Sequence, residues 1–324
     1  MKFDIIITNP PYQENDNGHK NSCKPLYHKF IQASKELDPN YIIMIIPNRW
    51  YAGGKGLDTF RCEMINDTRI EKLIDFESSK FVFDNVGIAG GICYFLWNKN
   101  HNGNCEITNI NYNNTNTSIR SLNQFDILIR NNDSISIINK IIKSKINTLD
   151  SIVSGRNCFN FQSNFRGQIE KFNNSITLFT SEGISYIDKF IITKNNNLIN
   201  KYKVIISKSV PCNGETNIDP KCGYKVTTTP LILKPDVVCT DTYLMLNTFD
   251  IEQKAINMCN FMKLKLPRYL LKQCLNSINI NKGCFKFVPY EDFDIKWNDK
   301  MLYNKYNLTD NEINIVETTI RDFK

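Results

Sequence analysis

The sequence predicts an α/β protein made of two successive regions, and three observations carry that prediction. Short apolar runs alternate with amphipathic stretches over residues 1–98, the order expected of a largely parallel sheet with helical crossovers. A polar stretch rich in Asn, Gly and Thr, residues 101–118, then interrupts the pattern as a linker or hairpin would. A second series of apolar runs occupies 150–290.

Taken in order, Phe3 to Thr8 is an apolar strand. Pro25 to Leu37 places Leu26, Phe30, Ala33 and Leu37 at helical spacing, and Pro39 ends that helix. Tyr41 to Ile46 is apolar throughout, as expected of a strand covered on both faces, and Pro47 stops it. Leu57 to Ile65 reads as a helix, with Ile70 to Phe76 and Gly91 to Trp97 as further strands. Residues 119–149 read as a helical connector. Later strand candidates are Ile184 to Ile187, Lys203 to Ser207, Pro230 to Lys234 and Val237 to Leu246, followed by a helical stretch from Ile251 to Leu275. Thr309-Asp310-Asn311-Glu312 has the pattern of a capping box opening a last amphipathic helix.

Bulk composition narrows the function classes. With 41% hydrophobic and 23% charged residues in 324, the chain can bury a core like an ordinary globular protein. No run approaches the roughly 20 apolar residues that span a bilayer, and no signal-peptide cleavage site follows the N-terminus, so no membrane association and a cytoplasmic location are expected. The 11 cysteines and 3 histidines form no ligand-spaced cluster, which argues against a metal site. A net charge of +7 is compatible with nucleic acid without requiring it.

The chemistry lies in Asn9-Pro10-Pro11-Tyr12, directly after the first strand, where open α/β sheets place their ligands. Two prolines stiffen the turn and push the residue before them out of the helical region. An Asn side-chain oxygen and a proline carbonyl can both accept from an exocyclic amine, and a neighbouring tyrosine offers a flat face for an extruded base. Such a set suits methylation of the adenine amine, whose lone pair is otherwise delocalised into the ring. Gly53-Gly54-Lys55-Gly56 lacks P-loop spacing and reads as a flexible loop at the rim of a DNA cleft. Arg49 and Lys55 are candidate phosphate contacts there, with plain surface charge as the alternative.

The tetrapeptide resembles the catalytic motif of N6-adenine DNA methyltransferases of type II restriction–modification systems, TaqI-like and nuclease-fused enzymes included. The similarity extends through Pro25 to Phe30, Ile46 to Trp50, Ala52 to Leu57, Ala89 to Phe95 and Phe287 to Tyr290. It implies a partial Rossmann-like methyltransferase sheet in 1–118, a helical connector in 119–149, a second α/β target-recognition domain in 150–290 and a helical extension in 291–324. It further implies that Asn9 and the Pro10 carbonyl hold the target amine within the turn set by Pro11, with Tyr12 on one face of the flipped adenine. Phe83, with Phe81 as the alternative, would stack on the other face; both also read as core aromatics under a loop. Double-stranded DNA is the implied partner, and Arg156, Arg166, Lys208, Lys221 and Lys225 are candidate DNA contacts in the second region, again with solvated surface charge as the alternative.

The implied cofactor is S-adenosylmethionine, held in this family by a glycine-rich turn after a strand. The only glycine clusters, Gly53 to Gly56 and Gly87 to Gly91, lack that context. The first strand has no polar face and should sit between two neighbours, one of which is not found in the sequence. An upstream polypeptide carrying the cofactor half is therefore expected as a partner. A DNA-binding or specificity protein without catalysis, or an inactive remnant, is the alternative.

Overall fold

The computed structural model describes residues 3–323 except 16–22, 53, 55, 85, 112–113, 145–146, 210–217, 220–222 and 276–278. The chain forms two units that divide after Ile135.

The first unit is a six-stranded sheet with helices. Its strands are β1 (Ile5–Thr8), β4 (Tyr41–Pro47), β5 (Ile70–Phe76), β6 (Ile92–Asn98), β7 (Cys105–Ile110) and β8 (Thr115–Arg120). A small hairpin, β2 (Gln13–Asn15) with β3 (Cys23–Pro25), lies beside them in sequence, and the helices are α1 (Tyr27–Glu36) and α2 (Asp58–Asn66). The sheet order is β1-β4-β6-β5-β7-β8. β1 pairs in parallel with β4, and β5 with β7, but β6 runs antiparallel to both β4 and β5. The expected largely parallel sheet is thus mixed. The connection from β5 to β6 contains no full helix, and a parallel return needs a longer crossover, so β6 comes back antiparallel to β5.

Burial follows the alternation of β4: Ile42, Met44 and Ile46 are buried, Ile43 and Ile45 are half-buried, and Tyr41 is exposed. The strand therefore has one covered face rather than the two its apolar run predicted. The covered side joins Tyr27 and Ile31 of α1 and Phe60 and Met64 of α2 with Leu73, Phe95 and Trp97 in one core. Helix α1 buries Tyr27, Ile31 and Ser34 and leaves Phe30 and Leu37 exposed, one position away from the expected stripe. The polar stretch 101–118 contains the β7–β8 hairpin. Residues 119–149 are not one helical connector: β8 reaches Arg120, an irregular segment follows, and helix α3 is confined to Ser134–Lys143.

The chain passes into the second unit within α3. There β10 (Gly183–Asp188) and β9 (Ser175–Thr180) form a hairpin joined in parallel by β15 (Val237–Cys239). A second sheet has β11 (Tyr202–Ser207) between β14 (Leu231–Leu233) and β16 (Tyr243–Phe249), all antiparallel. Short β12 (Ile218–Asp219) and β13 (Gly223–Tyr224) pair with each other. The expected strand Val237 to Leu246 is two strands, because Thr240-Asp241-Thr242 turns the chain from one sheet to the other. Likewise the stretch Ile251 to Leu275 divides into α4 (Glu252–Phe261) and α5 (Lys265–Gln273). Asp299, at the start of α6 (Asp299–Lys305), accepts from the N–H groups of Lys265 and Leu266 and so caps α5. Helix α7 (Asp310–Thr319) opens on the complete Thr309–Glu312 capping box.

Candidate functional site

The first unit gathers its polar machinery where β1, β4 and β5 end. Parallel pairing sets Thr8 of β1 beside Met44 of β4, so the chain beyond β1 and the chain beyond β4 emerge at the same end of the sheet. In the turn after β1, Pro10 is buried while Asn9 and Pro11 are exposed. The buried proline anchors the turn, and Asn9 lies at the surface. The Tyr12 carbonyl accepts from the Leu26 N–H at 3.0 Å, which fixes the far end of the turn to the start of α1. Tyr12 is half-buried, and its hydroxyl is buried without a hydrogen-bond partner. Burial, reinforced by Cys93, pushes its pKa up to about 12, so the phenol stays protonated and its ring stays neutral.

In neighbouring segments His28 Nδ1, Asn48 Oδ1 and Arg49 Nε are also buried without a partner among the described residues. The aromatic rings beneath them are tightly set. Tyr27 meets Phe60 edge-on at 6.0 Å between centroids, and Trp50 meets Tyr51 edge-on at 4.8 Å. Arg49 follows the end of β4 and is half-buried; burial lowers its pKa, and the nearby Tyr27 opposes that shift. A half-buried guanidinium with no ion pair among the described residues is suited to an anion.

Asp75, at the end of β5, is the deepest carboxylate here, with 1% of its surface exposed. It accepts from Asn48 Nδ2 at 2.6 Å and from the Tyr51 hydroxyl at 3.0 Å, and pairs with Arg130 at 2.8 Å. Burial raises its pKa, against the pull of Arg130 and Tyr51. Arg130 also donates to the carbonyls of Phe76 and Gly90. Sequence reading missed this cluster. Asp75 inside the apolar run Leu73-Ile74-Asp75-Phe76 was the one visible signal, and nothing local marked Arg130.

Phe83 lies in the loop between β5 and β6 and is half-buried, with its N–H donated to the Ser79 carbonyl at 2.8 Å; Phe81 is 39% exposed. The Gly87 to Gly91 cluster serves this loop's closure. A Cβ on Gly91 would stand 2.2 Å from the Phe76 carbonyl oxygen, and its φ of +80° is open to glycine. Gly91 is consumed in this packing, whereas a Cβ on Gly87 would meet nothing within 4 Å. Lys55, and in the second unit Lys221, lie outside the described residues.

The second-unit candidates among the described residues are each held by a side-chain partner, and two of them share one. Lys208 is 2.6 Å from the buried carboxylate of Asp241, which Arg156 also reaches at 3.2 Å. Arg166 pairs with Glu182 on the β9–β10 hairpin, and Lys225 stands 5.5 Å from the Phe323 ring. Of these, Arg156 is the most open, with 80% of its side chain exposed. Among the described residues no helix is long and apolar enough to cross a membrane.

Comparison with known proteins adds a family. Residues 1–83 match the Eco57I restriction-modification methylase family. An uncharacterized adenine-specific methylase of Mycoplasma pneumoniae is 34% identical over 158 residues, which are 47% of this chain and 37% of the relative. The chain thus spans little more than a third of that curated relative. Among solved structures, the type IIG restriction endonuclease BpuSI aligns with 94% of this chain and 49% of its own, at 10% identity and a TM-score of 0.37. The type ISP enzyme LlaGI, solved with a DNA substrate mimic, aligns over 87% of this chain and 34% of its own, at 10% identity and a TM-score of 0.44.

Proposed function

We propose that this chain, whose residues 1–83 carry an Eco57I restriction-modification methylase domain, supplies the adenine-binding part of a DNA methyltransferase that modifies the N6 amine. The observation that supports this most is the Asn9–Tyr12 turn at the carboxyl end of β1, with Pro10 buried, Asn9 presented outward and Tyr12 braced by Leu26. In this reading Asn9 Oδ1 and the Pro10 carbonyl accept the two amine hydrogens. That draws the nitrogen lone pair out of the ring and aims it at the methyl donor. Tyr12 and Phe83 stack on opposite faces of the extruded base, and Pro11 keeps the turn rigid.

Arg49 and Lys55 contact phosphates at the rim, and Arg166, Lys208 and Lys225 belong to the second unit's DNA-binding surface. The pairing of Lys208 with Asp241 makes it the weakest of these assignments. S-adenosylmethionine is the methyl source that the family implies. The glycine clusters of the sequence lack the strand–turn–helix context of its binding loop, and this supports an upstream polypeptide as the holder of the cofactor. The free edge of β1 supports the same reading: among the described residues β1 pairs with β4 alone, and Ile5 and Ile7 are 53% and 72% exposed. The same glycine pattern favours a second reading, a DNA-binding specificity module without catalysis.

The test is methyl incorporation into duplex DNA, read as N6-methyladenine after digestion to nucleosides, with the chain alone and with a polypeptide bearing a glycine-rich cofactor loop. Asn9→Ala is expected to lower incorporation by about 10²–10³-fold, the usual loss for one preorganised acceptor or donor. Equal DNA binding and no methylation in any combination would favour the specificity module.

A further inference from the structure

Two segments that are far apart in sequence, Asn48–Tyr51 and Arg130, converge on Asp75, and what they hold is a loop. Asp75 and Phe76 end β5, and the chain then runs through residues 77–91 to β6. The loop has its own internal brace. The fully buried Ser79 donates its hydroxyl to the Val86 carbonyl at 2.6 Å and accepts from the Ile88 N–H at 3.0 Å. Its carbonyl takes the N–H groups of Val82 and Phe83 at 3.0 and 2.8 Å. One serine thus ties the outgoing arm, with Phe83, to the returning arm.

The returning arm is fastened from outside the loop. Asn48 donates its backbone N–H to the Gly91 carbonyl at 3.1 Å and its side-chain amide to Asp75 and to the Phe76 carbonyl. Arg130 spans the mouth of the loop: its Nε faces Asp75, and its Nη2 donates to Phe76 on one side and Gly90 on the other. Arg130 is itself delivered with care. The Asn109 amide donates to its carbonyl at 2.8 Å, and the buried Arg120 donates to the Ile129 carbonyl at 2.6 Å. The Leu128 N–H donates to the Tyr51 carbonyl at 2.9 Å.

A buried Arg–Asp pair of this kind is a poor stabiliser, because desolvation offsets most of its attraction and apolar replacements often do better. What the pair supplies is geometry. A planar guanidinium joining two carbonyls and one carboxylate fixes the distance between the two ends of the loop. We propose that Arg130, acting through Asp75 and the Gly90-Gly91 turn, is a positioning residue that latches the 77–91 loop and so sets Phe83 at the adenine face. This inference rests on the adenine-site reading for its second half. Its first half, the latch, stands on the hydrogen bonds alone.

The experiment uses the full chain, with Arg130→Met as the main variant and Arg130→Lys as the milder one in case the first folds poorly. Amide hydrogen exchange is followed at Val82, Phe83, Ile88 and Gly91, and at Ile42, Met44 and Ile46 of β4 as a reference. The loop amides are expected to exchange about tenfold faster in either variant while the β4 amides stay unchanged. Equal acceleration of both sets, or of neither, would overturn the latch. In parallel, 2-aminopurine deoxyriboside is titrated against the chain, since stacking between aromatic rings quenches its fluorescence. Arg130→Met should reduce quenching to the level of Phe83→Ala, and the double variant should lose nothing more. Additive losses, or full quenching in Arg130→Met, would sink the link to Phe83. If the loop loosens as expected but Asn9→Ala and Phe83→Ala leave the nucleoside signal unchanged, the latch holds and the adenine reading falls.

Discussion

The two units differ in how their buried polar groups are partnered. In the first unit Asp75, Arg120 and Arg130 are partnered, but near them Tyr12, His28, Asn48 and Arg49 each keep a buried polar atom without a partner among the described residues. In the second unit the fully buried Lys203 and Arg268 are held by backbone carbonyls. Lys203 donates to the carbonyls of Leu198, Ile199 and Lys201. Arg268 has a carbonyl for each nitrogen, from Lys263 and Leu264 at Nε, Lys225 at Nη1 and Arg321 at Nη2. The second unit has orphans of its own in Asn157 and Thr227, but they are not gathered in neighbouring segments as the first unit's are. An unmade hydrogen bond in a buried site costs about 1–3 kcal/mol, so a cluster of them persists where something else completes the set. Partnered cations serve the scaffold; under the proposed function a bound ligand would complete the unpartnered atoms.

That contrast can be broken most readily at Arg268. Arg268→Met is expected to destabilise the second unit by about 3–5 kcal/mol in urea unfolding, because it strands several buried carbonyls at once. A loss below about 1 kcal/mol would show that the carbonyls find other partners and that saturation is not what holds the unit.

Lys203 sharpens the same point through pH. Burial lowers its pKa to about 8, against the attraction of Cys239 and Asp236. The unfolded chain, with a lysine pKa near 10.4, binds more protons between those values, so stability rises with pH across that window. Wild type should gain about 2–3 kcal/mol between pH 7.5 and 10 relative to Lys203→Met, discounting nothing else that titrates equally in both. Melting temperatures of the two proteins at both pH values read it out, and parallel curves would contradict it.

The smallest effect carries the sharpest comparison. Tyr306 donates its hydroxyl to the buried Glu291, whereas the Tyr12 hydroxyl has no partner among the described residues. Tyr306→Phe should cost about 1.5–2 kcal/mol, as for a bond to a charged group. Tyr12→Phe should cost less than about 0.5 kcal/mol, or gain stability, since it removes an unsatisfied group. If Tyr12→Phe is as damaging as Tyr306→Phe, the first unit's cluster is complete in itself and needs no ligand.

How much of this could be read beforehand varies from residue to residue. The Thr309–Glu312 capping box is local chemistry over four positions, and it is present as expected. The strands at Ile70–Phe76 and Tyr202–Ser207 announce themselves by apolar runs with β-branched residues. The stripe of α1 was placed one residue off because Leu26, Phe30, Ala33 and Leu37 and Tyr27, Ile31 and Ser34 both have helical spacing. Only the sheet decides which row it covers. The short strand Ser175–Thr180 was missed, since six residues between Asn-rich turns give little period to count.

The sequence by itself determined the stiff Asn9–Tyr12 turn and its place after an apolar strand, because proline geometry and strand propensity act within a few residues. It also determined that glycine clusters are few. Only the tertiary structure decided that β6 runs against its neighbours and that Gly91 is spent on a close approach to Phe76. Only the tertiary structure brought Arg130 to Asp75 across 55 positions, with Asn48 and Tyr51. The reason is range. Backbone preference is set by adjacent atoms, whereas a buried ion pair and a strand's partner are set by which distant segments the core brings within a few ångströms.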